Sequence, residues 1–186
     1  MFFHHLLLFL EVALSDRLTY RPYEEKDIPK MVELRNEPSM RKWFYFQEPY
    51  CLTTEFAKEH VEKSVSTWNG KVNILKDECA LAIVLKESNE LIGNVGIAWR
   101  NRPEVNLNGL EIGYSIGEAH QGKGYATEAA KAAIKWAFNE LKKIKTEPKI
   151  EAYIEHENIP SIRVAEKAGM KFIRKEKYVS VYEIKG

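Results

Sequence analysis

The segment GEAHQGKG, residues 117–124, has the residue types and spacing of a loop that binds anions. It matches the nucleotide-phosphate pattern G-x-x-x-x-G-K-[ST] except at the last position, where Gly124 follows Lys123 in place of Ser or Thr. An apolar run that predicts a strand precedes the segment, and a run that predicts a helix follows it. Two glycines at such a junction let backbone N–H groups turn toward one point at a helix N-terminus, where the helix dipole favours an anion.

Two other nucleotide-binding loops are excluded by the residues around this segment. A triphosphate loop needs a Mg²⁺-binding hydroxyl directly after the lysine, and Gly124 provides none. That fold also builds most of its sheet downstream of the loop, whereas fewer than fifty residues follow the predicted helix. The dinucleotide pattern G-x-G-x-x-G fails because Thr127 stands at its third glycine. The sequence therefore predicts a pyrophosphate bound without an obligatory metal, and the alternative is a plain strand-to-helix turn.

Hydrophobic periodicity predicts the elements that lead to this loop. They are an edge strand at 17–23, a helix at 27–38 ended by Pro38, an aromatic-rich stretch without helical periodicity at 40–52, a helix at 53–68, strands at 78–89 and 90–101, a polar loop at 102–109 and a strand at 110–116. Thr53 is expected to cap the second helix. The buried side of that helix is expected to contain Phe56, His60, Val61 and Val65.

The elements after the loop are predicted in the same way. A long helix at 124–141 has many alanines on its apolar side, so we expect it to lie close against the sheet. A strand at 148–156, a helix at 158–169 and a terminal hairpin at 170–184 follow. Asn158 is expected to cap the last helix, and Gly169 to end it in the left-handed conformation.

The composition is that of one soluble globular domain. The chain has 186 residues, 45% of them apolar, and its 28 Lys and Arg balance 27 Asp and Glu. This balance provides no overall field that would attract nucleic acid or a membrane surface. Cys51 and Cys79 have no metal-ligand spacing and are too few for a disulfide framework, which favours a reducing, cytoplasmic setting. We expect a single domain at 17–186 and an apolar extension at 1–16, packed on that domain or on a second copy.

Two stretches resemble the acetyl-coenzyme A (acetyl-CoA) motifs of the GNAT superfamily of N-acetyltransferases: LEIGYSIGEAHQGKGYATEAAKAAIKWAF at 110–138 and NIPSIRVAEKAGMKFI at 158–173. They are most similar to the branch that includes the ribosomal-protein N-terminal acetyltransferases. The resemblance implies an α/β (α+β) fold with a mixed, mostly antiparallel central sheet, a splayed pair of parallel strands and helices on both faces. It also implies acetyl-CoA as the cofactor, with no metal.

The resemblance assigns the cofactor to the loop and to the strands on either side of it. Backbone N–H groups of residues 121–126 are expected to hold the pyrophosphate, and the pantetheine arm is expected to pair with residues 114–116 like an added strand. The expected cofactor-binding residues are Tyr114, Ser115, Ile116, Gln121, Gly122, Lys123, Gly124, Tyr125, Ala126, Thr127, Asn158, Ser161 and Arg163. Asn158 is alternatively only a helix cap, and Lys123 and Arg163 are alternatively solvated charges.

Two departures from the family pattern bear on the chemistry. The Gln or Arg found before the first loop glycine is Ala119 here, which costs little because the phosphate contacts are mostly main-chain. The tyrosine that often protonates the leaving thiolate is Ala165. Ser161 is therefore the candidate acid, and its alternative role is that of an ordinary residue in the first helical turn. Glu111, on the strand that carries the thioester, is the candidate base for the amine, and its alternative role is a cross-strand ion pair. The oxyanion donor would be a backbone N–H near residues 115 and 116.

The acceptor amine is expected to enter opposite the cofactor, between the first two helices and the terminal hairpin. The candidate substrate-binding residues are Trp43, Phe44, Tyr45 and Glu48. The sequence predicts an N-acetyltransferase that acts as a monomer or homodimer on a primary amine, with a protein or peptide N-terminus as the first candidate. A small-molecule amine acetyltransferase and a non-catalytic CoA-binding module are the alternatives.

Overall fold

The computed structural model describes residues 15–43, 52–70 and 72–186, through which a mixed sheet of seven strands runs. The strands are β1 (Leu18–Arg21), β2 (Glu78–Leu85), β3 (Leu91–Arg102), β4 (Leu107–Ile116), β5 (Lys149–Glu155), β6 (Lys171–Lys175) and β7 (Val179–Lys185). Their order in the sheet is β1-β2-β3-β4-β5-β7-β6. Every neighbouring pair is antiparallel except β4 and β5. This architecture confirms the predicted mixed, mostly antiparallel sheet.

Helices cover both faces of the sheet, as predicted. In the described ranges they are α1 (Ile28–Arg35), α2 (Pro38–Trp43), α3 (Thr54–Asn69), α4 (Tyr125–Lys143) and α5 (Ile159–Lys167). On the α1/α3 face, both helices pack on the first strands through the buried residues Tyr23, Ile28, Met31, Leu34, Ala57, Val61, Ala82, Val84 and Leu91. On the α4/α5 face, the larger core includes Leu81, Ile97, Ile112, Ala133, Ala137, Ile150 and Ala165.

The parallel strands β4 and β5 meet at one point and then separate. Their register has a single pair, Glu111 opposite Glu151. Beyond it β4 continues to Ile116 and β5 to Glu155, and the sheet register pairs no residues of the two strands there. We call the space between residues 112–116 and 152–155 the splayed gap. The predicted splay of a parallel pair is thus confirmed.

The alanine-rich helix α4 lies against the sheet as its sequence predicts. Ala129, Ala130, Ala133 and Ala137 are all buried, and the helix contacts both β3 and β4. Small side chains allow this close approach because little volume separates the helix axis from the strands.

Local signals at helix ends are confirmed. Thr53 accepts a hydrogen bond from the Phe56 N–H at 3.2 Å, which caps α3. Asn158 caps α5 by accepting from the Ser161 N–H at 3.2 Å. Gly169, with φ at 95°, follows the end of α5 in the left-handed region, where glycine is favoured because it lacks Cβ.

Three details of the prediction were wrong. Pro38 was predicted to end the first helix, but it begins the separate helix α2, because proline is suited to a first helical position, and α2 runs into the stretch predicted to lack helical periodicity. The buried side of α3 contains Ala57, Val61, Ser64 and Trp68, while Phe56 and Val65 are exposed. The loop predicted at 102–109 is shorter, because β3 and β4 extend to a 3-10 turn at Pro103–Val105.

Some predictions lie outside the described residues. They are the extension up to residue 14 and the candidate acceptor residues Phe44, Tyr45 and Glu48. None of the helices in the described ranges combines the length and apolar character needed to cross a membrane.

Candidate active site

The glycine-rich loop is an open turn at the N-terminus of α4. Gly122 and Gly124 have φ values of 75° and 84°, and residues 121–124 are exposed. Among the residues that the structure describes, none lies within 4 Å of a Cβ atom built on Gly122. The first helical hydrogen bond runs from the Glu128 N–H to the Gly124 carbonyl at 3.1 Å. The N–H groups of residues 125–127 therefore precede helical pairing and point outward from the helix end, as an anion site requires.

Side chains fix this loop to its surroundings. Gln121 donates to the Ile116 carbonyl at 2.9 Å and to the Ser39 hydroxyl at 3.2 Å. The Lys123 ammonium donates to the Ala119 carbonyl at 3.0 Å. These bonds give both side chains a role in shaping the turn, beside the cofactor contacts predicted for them.

The segment directly before β1 also supports the loop. The Arg17 guanidinium donates to the Lys123 carbonyl at 2.9 Å, and its Nε and Nη2 atoms both donate to Glu128 Oε2, at 2.8 and 2.5 Å. The same guanidinium lies 4.6 Å from the centre of the Tyr125 ring. Ser15 and Arg17, just before β1, therefore connect this segment to Glu128 in the first turn of α4.

The backbone of β4 presents hydrogen-bonding groups to the splayed gap. The Gly117 N–H donates to the Ile92 carbonyl of β3 at 2.8 Å. Successive residues of a strand direct their N–H and C=O groups to opposite sides, so those of Ser115 are directed to β3 and those of Tyr114 and Ile116 to the gap. Of these, the Ile116 carbonyl accepts from Gln121. Tyr114 and Ile116, rather than Ser115, thus have the orientation needed to pair with an added strand.

The side chain of Tyr114 connects β4 to the first turn of α5. Its hydroxyl donates to the Ser161 carbonyl at 2.9 Å, and the Ser161 hydroxyl donates to it at 3.3 Å. Burial raises the pKa of Tyr114 to about 12, although the hydrogen bond with Ser161 opposes this shift. Asn158 is held close by through its cap bond to Ser161, so three predicted residues meet at one end of the gap.

The Glu111 side chain lies on the sheet face opposite to the Tyr114 side chain, at the narrow end of the gap. Ala82, which packs on the α1/α3 face, is paired with Asn94 of β3, and Asn94 is paired with Ser115 of β4, so the Ser115 side chain lies on that face. Because alternate residues of a strand share a face, the side chain of Glu111, four positions before Ser115, lies there too. Gly113, between Glu111 and Ser115, is exposed, and a Cβ atom there would meet no described residue within 4 Å. Within the described ranges, the α1/α3 face therefore has an open floor directly beside the carboxylate.

The Glu111 carboxylate forms a hydrogen-bonded ion pair with Arg102 of β3. Burial raises the pKa of the Glu111 carboxyl above its ordinary value, and the nearby Arg102 opposes this shift without cancelling it. The cross-strand pair that was the alternative for Glu111 is thus present. A carboxylate with a raised pKa accepts a proton more readily, so the pair does not exclude the role of base.

A second polar cluster lies beside Glu111. The Tyr153 hydroxyl donates to the buried Glu151 carboxylate at 2.7 Å, and Arg174 donates to the Tyr153 oxygen at 2.9 Å. Burial tends to raise the pKa of Glu151, but the bonds from Tyr153 and Lys149 and the charge of Arg174 hold it below its ordinary value. Sequence reasoning missed Arg102 and Arg174. Arg102 fell in the loop that was predicted too long, and Arg174 had no local signal.

The other predicted residues are distributed around these groups. Thr127 and Ala126 are half-buried in the first turn of α4, and Arg163 is exposed on α5. The Ser115 hydroxyl bonds the Asn94 side chain on the α1/α3 face. Trp43 ends α2, and the Lys42 ammonium lies 4.4 Å from the centre of its ring.

Metal ligands and thiols were considered in the described ranges. They contain no group of three or more His, Cys, Asp or Glu residues arranged to hold a metal ion. Cys79 is buried, and burial raises the pKa of its thiol. A thiol of raised pKa is a poor nucleophile at neutral pH.

Comparison with known proteins identifies the family. The model of the acetyltransferase (GNAT) domain matches residues 17–171. The chain is 34% identical over 180 residues to the uncharacterized protein YkkB of Bacillus subtilis (strain 168), covering 92% of this chain and 94% of the relative. The chain belongs to the GNAT acetyltransferase family. It is an N-acetyltransferase, and its cofactor is acetyl-CoA.

Two solved structures share the fold. One is RimL, a ribosomal L7/L12 alpha-N-protein acetyltransferase in complex with coenzyme A, with a TM-score of 0.67 and 17% identity, covering 94% of this chain and 97% of that one. The other is spermidine N-acetyltransferase from Vibrio cholerae in complex with CoA and spermine, with a TM-score of 0.65 and 21% identity, covering 92% and 96%. Their acceptors are a protein and a polyamine, so the fold itself leaves the acceptor class open.

Proposed function

We propose that this enzyme acetylates the α-amino group of a protein or peptide. The observation that carries the proposal is the position of Glu111, which lies at the narrow end of the splayed gap beside the open floor at Gly113. An amine that approaches along this floor reaches the carboxylate and the end of the gap together. An open floor also leaves room for an extended chain to lie beside the carboxylate.

The charges around the floor favour a singly charged acceptor. Glu111 is paired with Arg102, and Glu151 is paired with Arg174 and Lys149. Because these carboxylates are neutralised by basic partners, they supply little net negative field for a polyamine with several positive charges. A peptide N-terminus has one ammonium group followed by a polar backbone, which suits this surface better.

The residues of the chain have distinct roles in the proposed reaction. Bound acetyl-CoA supplies the activated acetyl group, with its pyrophosphate at the N–H groups of residues 121–126 and Lys123 and Arg163 near its phosphates. Glu111 takes a proton from the amine, directly or through water. The Tyr114 N–H, directed to the gap, stabilises the negative charge that develops on the carbonyl oxygen. Asn158 combines its cap bond with a contact to the pantetheine arm.

A matched pair of acceptor panels tests the acceptor class. One panel contains lysine-free peptides with free N-termini and the same peptides with blocked N-termini; the other contains polyamines, amino sugars and aminoglycosides. We expect acetylation of the free peptides, none of the blocked ones, and lower kcat/KM for the small amines. Faster turnover of the second panel would replace the peptide proposal by a small-molecule one. Binding of CoA in calorimetry without turnover of either panel would establish a non-catalytic binding module.

We also propose that residues 17–186 form one catalytic domain that acts in the cytoplasm as a monomer or homodimer. The support is that strands from β1 to β7 share one sheet and that the Cys79 thiol is free. Light scattering of the full chain, alone and with CoA, measures the state of assembly.

A further inference from the structure

The Tyr114 and Ser161 hydroxyl groups form a hydrogen bond in a chain that has alanine at the family's usual proton-donor position. The position expected for the acid is Ala165, whose side chain is fully buried and carries no proton to donate. One turn earlier on α5 is Ser161, and its hydroxyl donates to the Tyr114 hydroxyl at 3.3 Å. These residues come from different elements, 47 positions apart in the chain. Their contact therefore pairs a second hydroxyl group with that of Ser161, one helical turn before Ala165.

The Tyr114 side chain lies beside the route of the cofactor. The backbone of Tyr114 is directed to the splayed gap, and its side chain crosses to α5, which follows β5 on the far side of that gap. The gap opens toward the glycine-rich loop and narrows at Glu111 and Glu151, three residues before Tyr114 on β4. A pantetheine arm that enters from the loop end thus extends toward the narrow end, with its sulfur beside the Tyr114 phenol.

We propose that Tyr114 donates the proton that converts the departing thiolate to CoA, and that Ser161 returns a proton to Tyr114. The C–S bond of the thioester breaks and its electron pair goes to sulfur. The Tyr114 O–H proton moves to that sulfur, the Ser161 hydroxyl proton moves to the Tyr114 oxygen, and water resupplies Ser161. The proton lost by the amine goes to Glu111. Glu111 then releases this proton to solvent, which neutralises the hydroxide left when water resupplies Ser161, so the sum is amide plus CoA thiol with no other reactant.

The surroundings of Tyr114 suit this role. With a pKa of about 12, the phenol stays protonated at neutral pH and is available as a donor throughout the working range. Ser161 is half-buried, so solvent reaches the outer end of the pair. The Tyr114 hydroxyl donates to the Ser161 carbonyl, so the phenol O–H must turn from that carbonyl to reach the sulfur, while the Ser161 hydroxyl stays directed to the Tyr114 oxygen behind it.

Titration of bound CoA tests the proposal without any acceptor, so its result is independent of the peptide proposal above. CoA carrying ¹³C next to sulfur is bound to the full chain, and the thiol pKa is read by NMR from the shift of that carbon with pH. A donor to the thiolate lowers this pKa. In Tyr114→Phe, which keeps the ring, we expect the pKa of the bound thiol to rise by about one to two pH units. This rise corresponds to the free energy of one hydrogen bond to a charged group.

Variants separate the two hydroxyls from general effects on the fold. We expect Ser161→Ala to raise the thiol pKa by less than Tyr114→Phe, because the phenol still donates, and Tyr178→Phe, an exposed ring, to leave it unchanged. Calorimetry on each variant should give CoA affinity within a few-fold of wild type. An unchanged thiol pKa in Tyr114→Phe overturns the proposal. So does loss of CoA binding in that variant, which would make Tyr114 a binding residue, or a rise confined to Ser161→Ala, which would make the serine the direct donor.

Discussion

At the scale of single residues, the pKa of the Glu111 carboxyl depends on two opposing effects. Burial disfavours its negative charge, and the guanidinium of Arg102 favours it. Burial prevails, so the pKa of Glu111 is raised. Since a base must be deprotonated to act, activity should be lost on acidification at a higher pH than an ordinary carboxyl would give. The acid limb of the kcat/KM profile measures this.

Removing the base tests its role directly. Glu111→Gln keeps shape and hydrogen-bonding size, so CoA affinity and stability should stay near wild type. Turnover at neutral pH should fall by about a hundredfold or more, and recover as rising pH deprotonates the amine in solution. Steady-state rates across pH check this, with Glu104→Gln as an exposed carboxylate control. A reduced rate with an unchanged pH profile would assign the proton to another group, with Glu48 and Tyr153 next.

The loop glycines make a second prediction at this scale. Gly122→Val and Gly124→Val should weaken CoA binding far more than they lower the melting temperature, because the new side chain blocks approach to the backbone N–H groups. Gly169→Val is the matched control. Its φ of 95° is also strained for valine, but it lies at the end of α5, away from the loop. It should lower stability and leave CoA affinity unchanged. Proportional loss of binding and stability at all three positions would make the loop glycines turn residues only.

At the scale of elements, the site depends on contacts between segments distant in the chain. β1 supports α4 through Arg17 and Glu128, and the Ser39 N–H at the start of α2 donates to Glu118 at 2.7 Å, in the turn before the loop. Burial tends to raise the pKa of Glu128, but hydrogen bonds from Ser15 and Arg17 outweigh it and lower the pKa. The contacts thus join the cofactor loop to β1 and to α2.

The link between β1 and α4 should depend on pH. Because the folded-state pKa of Glu128 is lowered, its stabilising contribution is complete above the ordinary carboxyl pKa and is lost as pH falls through the folded value. Glu128→Gln should therefore lower the melting temperature by about 2–4 °C near neutrality, the equivalent of about 1 kcal/mol, and by less in acid. Glu140→Gln, whose carboxylate pairs with Lys143 on the same helix, should have a smaller effect at either pH. An equal loss in acid would contradict an ionic origin.

The floor beside Glu111 gives a further prediction for β4. Gly113→Val places a branched side chain where no described residue lies within 4 Å of the new Cβ atom, on a strand that favours such residues, so stability should be kept. KM for the acceptor should rise severalfold, while CoA affinity should remain, because the cofactor lies in the gap and on the loop. Initial rates measure the acceptor KM, and calorimetry measures the CoA affinity. Weaker CoA binding with an unchanged acceptor KM would remove Gly113 from the acceptor side.

At the scale of the whole molecule, the splayed gap divides the sheet into two parts, β1 to β4 and β5 to β7. Between them the sheet register has one pair, Glu111 with Glu151, and the Tyr114 side chain adds a bond to α5. A cofactor that pairs with β4 and contacts α5 therefore adds connections between the two parts.

Cofactor binding should stabilise the whole molecule. At CoA concentrations about a hundredfold above Kd, mass action contributes about 2.7 kcal/mol, which corresponds to a rise in melting temperature of about 5–10 °C. Differential scanning calorimetry with and without a chelator measures this, and the chelator should make no difference, because Gly124 removes the hydroxyl that a Mg²⁺-dependent loop needs. Loss of the shift with the chelator would contradict metal-free binding.

The sequence by itself determined the features that arise from neighbouring residues. The glycine-rich loop, the alanine-rich face of α4, the caps at Thr53 and Asn158 and the turn at Gly169 each depend on side chains within a few positions of the backbone groups that they satisfy. Strand order and the splayed gap agree with the family resemblance. These features could be predicted because local periodicity and hydrogen bonding decide them.

Only the tertiary structure decided which distant residues meet. Arg102 reaches Glu111 because β3 runs longer than its pattern indicated, and Tyr114 reaches Ser161 because α5 returns beside the gap. The buried side of α3 likewise follows from packing on β2, which selects Ala57 and leaves Phe56 in solvent. Pairings across a sheet and contacts across a gap depend on the register and packing of the whole chain, and these quantities have no signature in any short stretch of sequence.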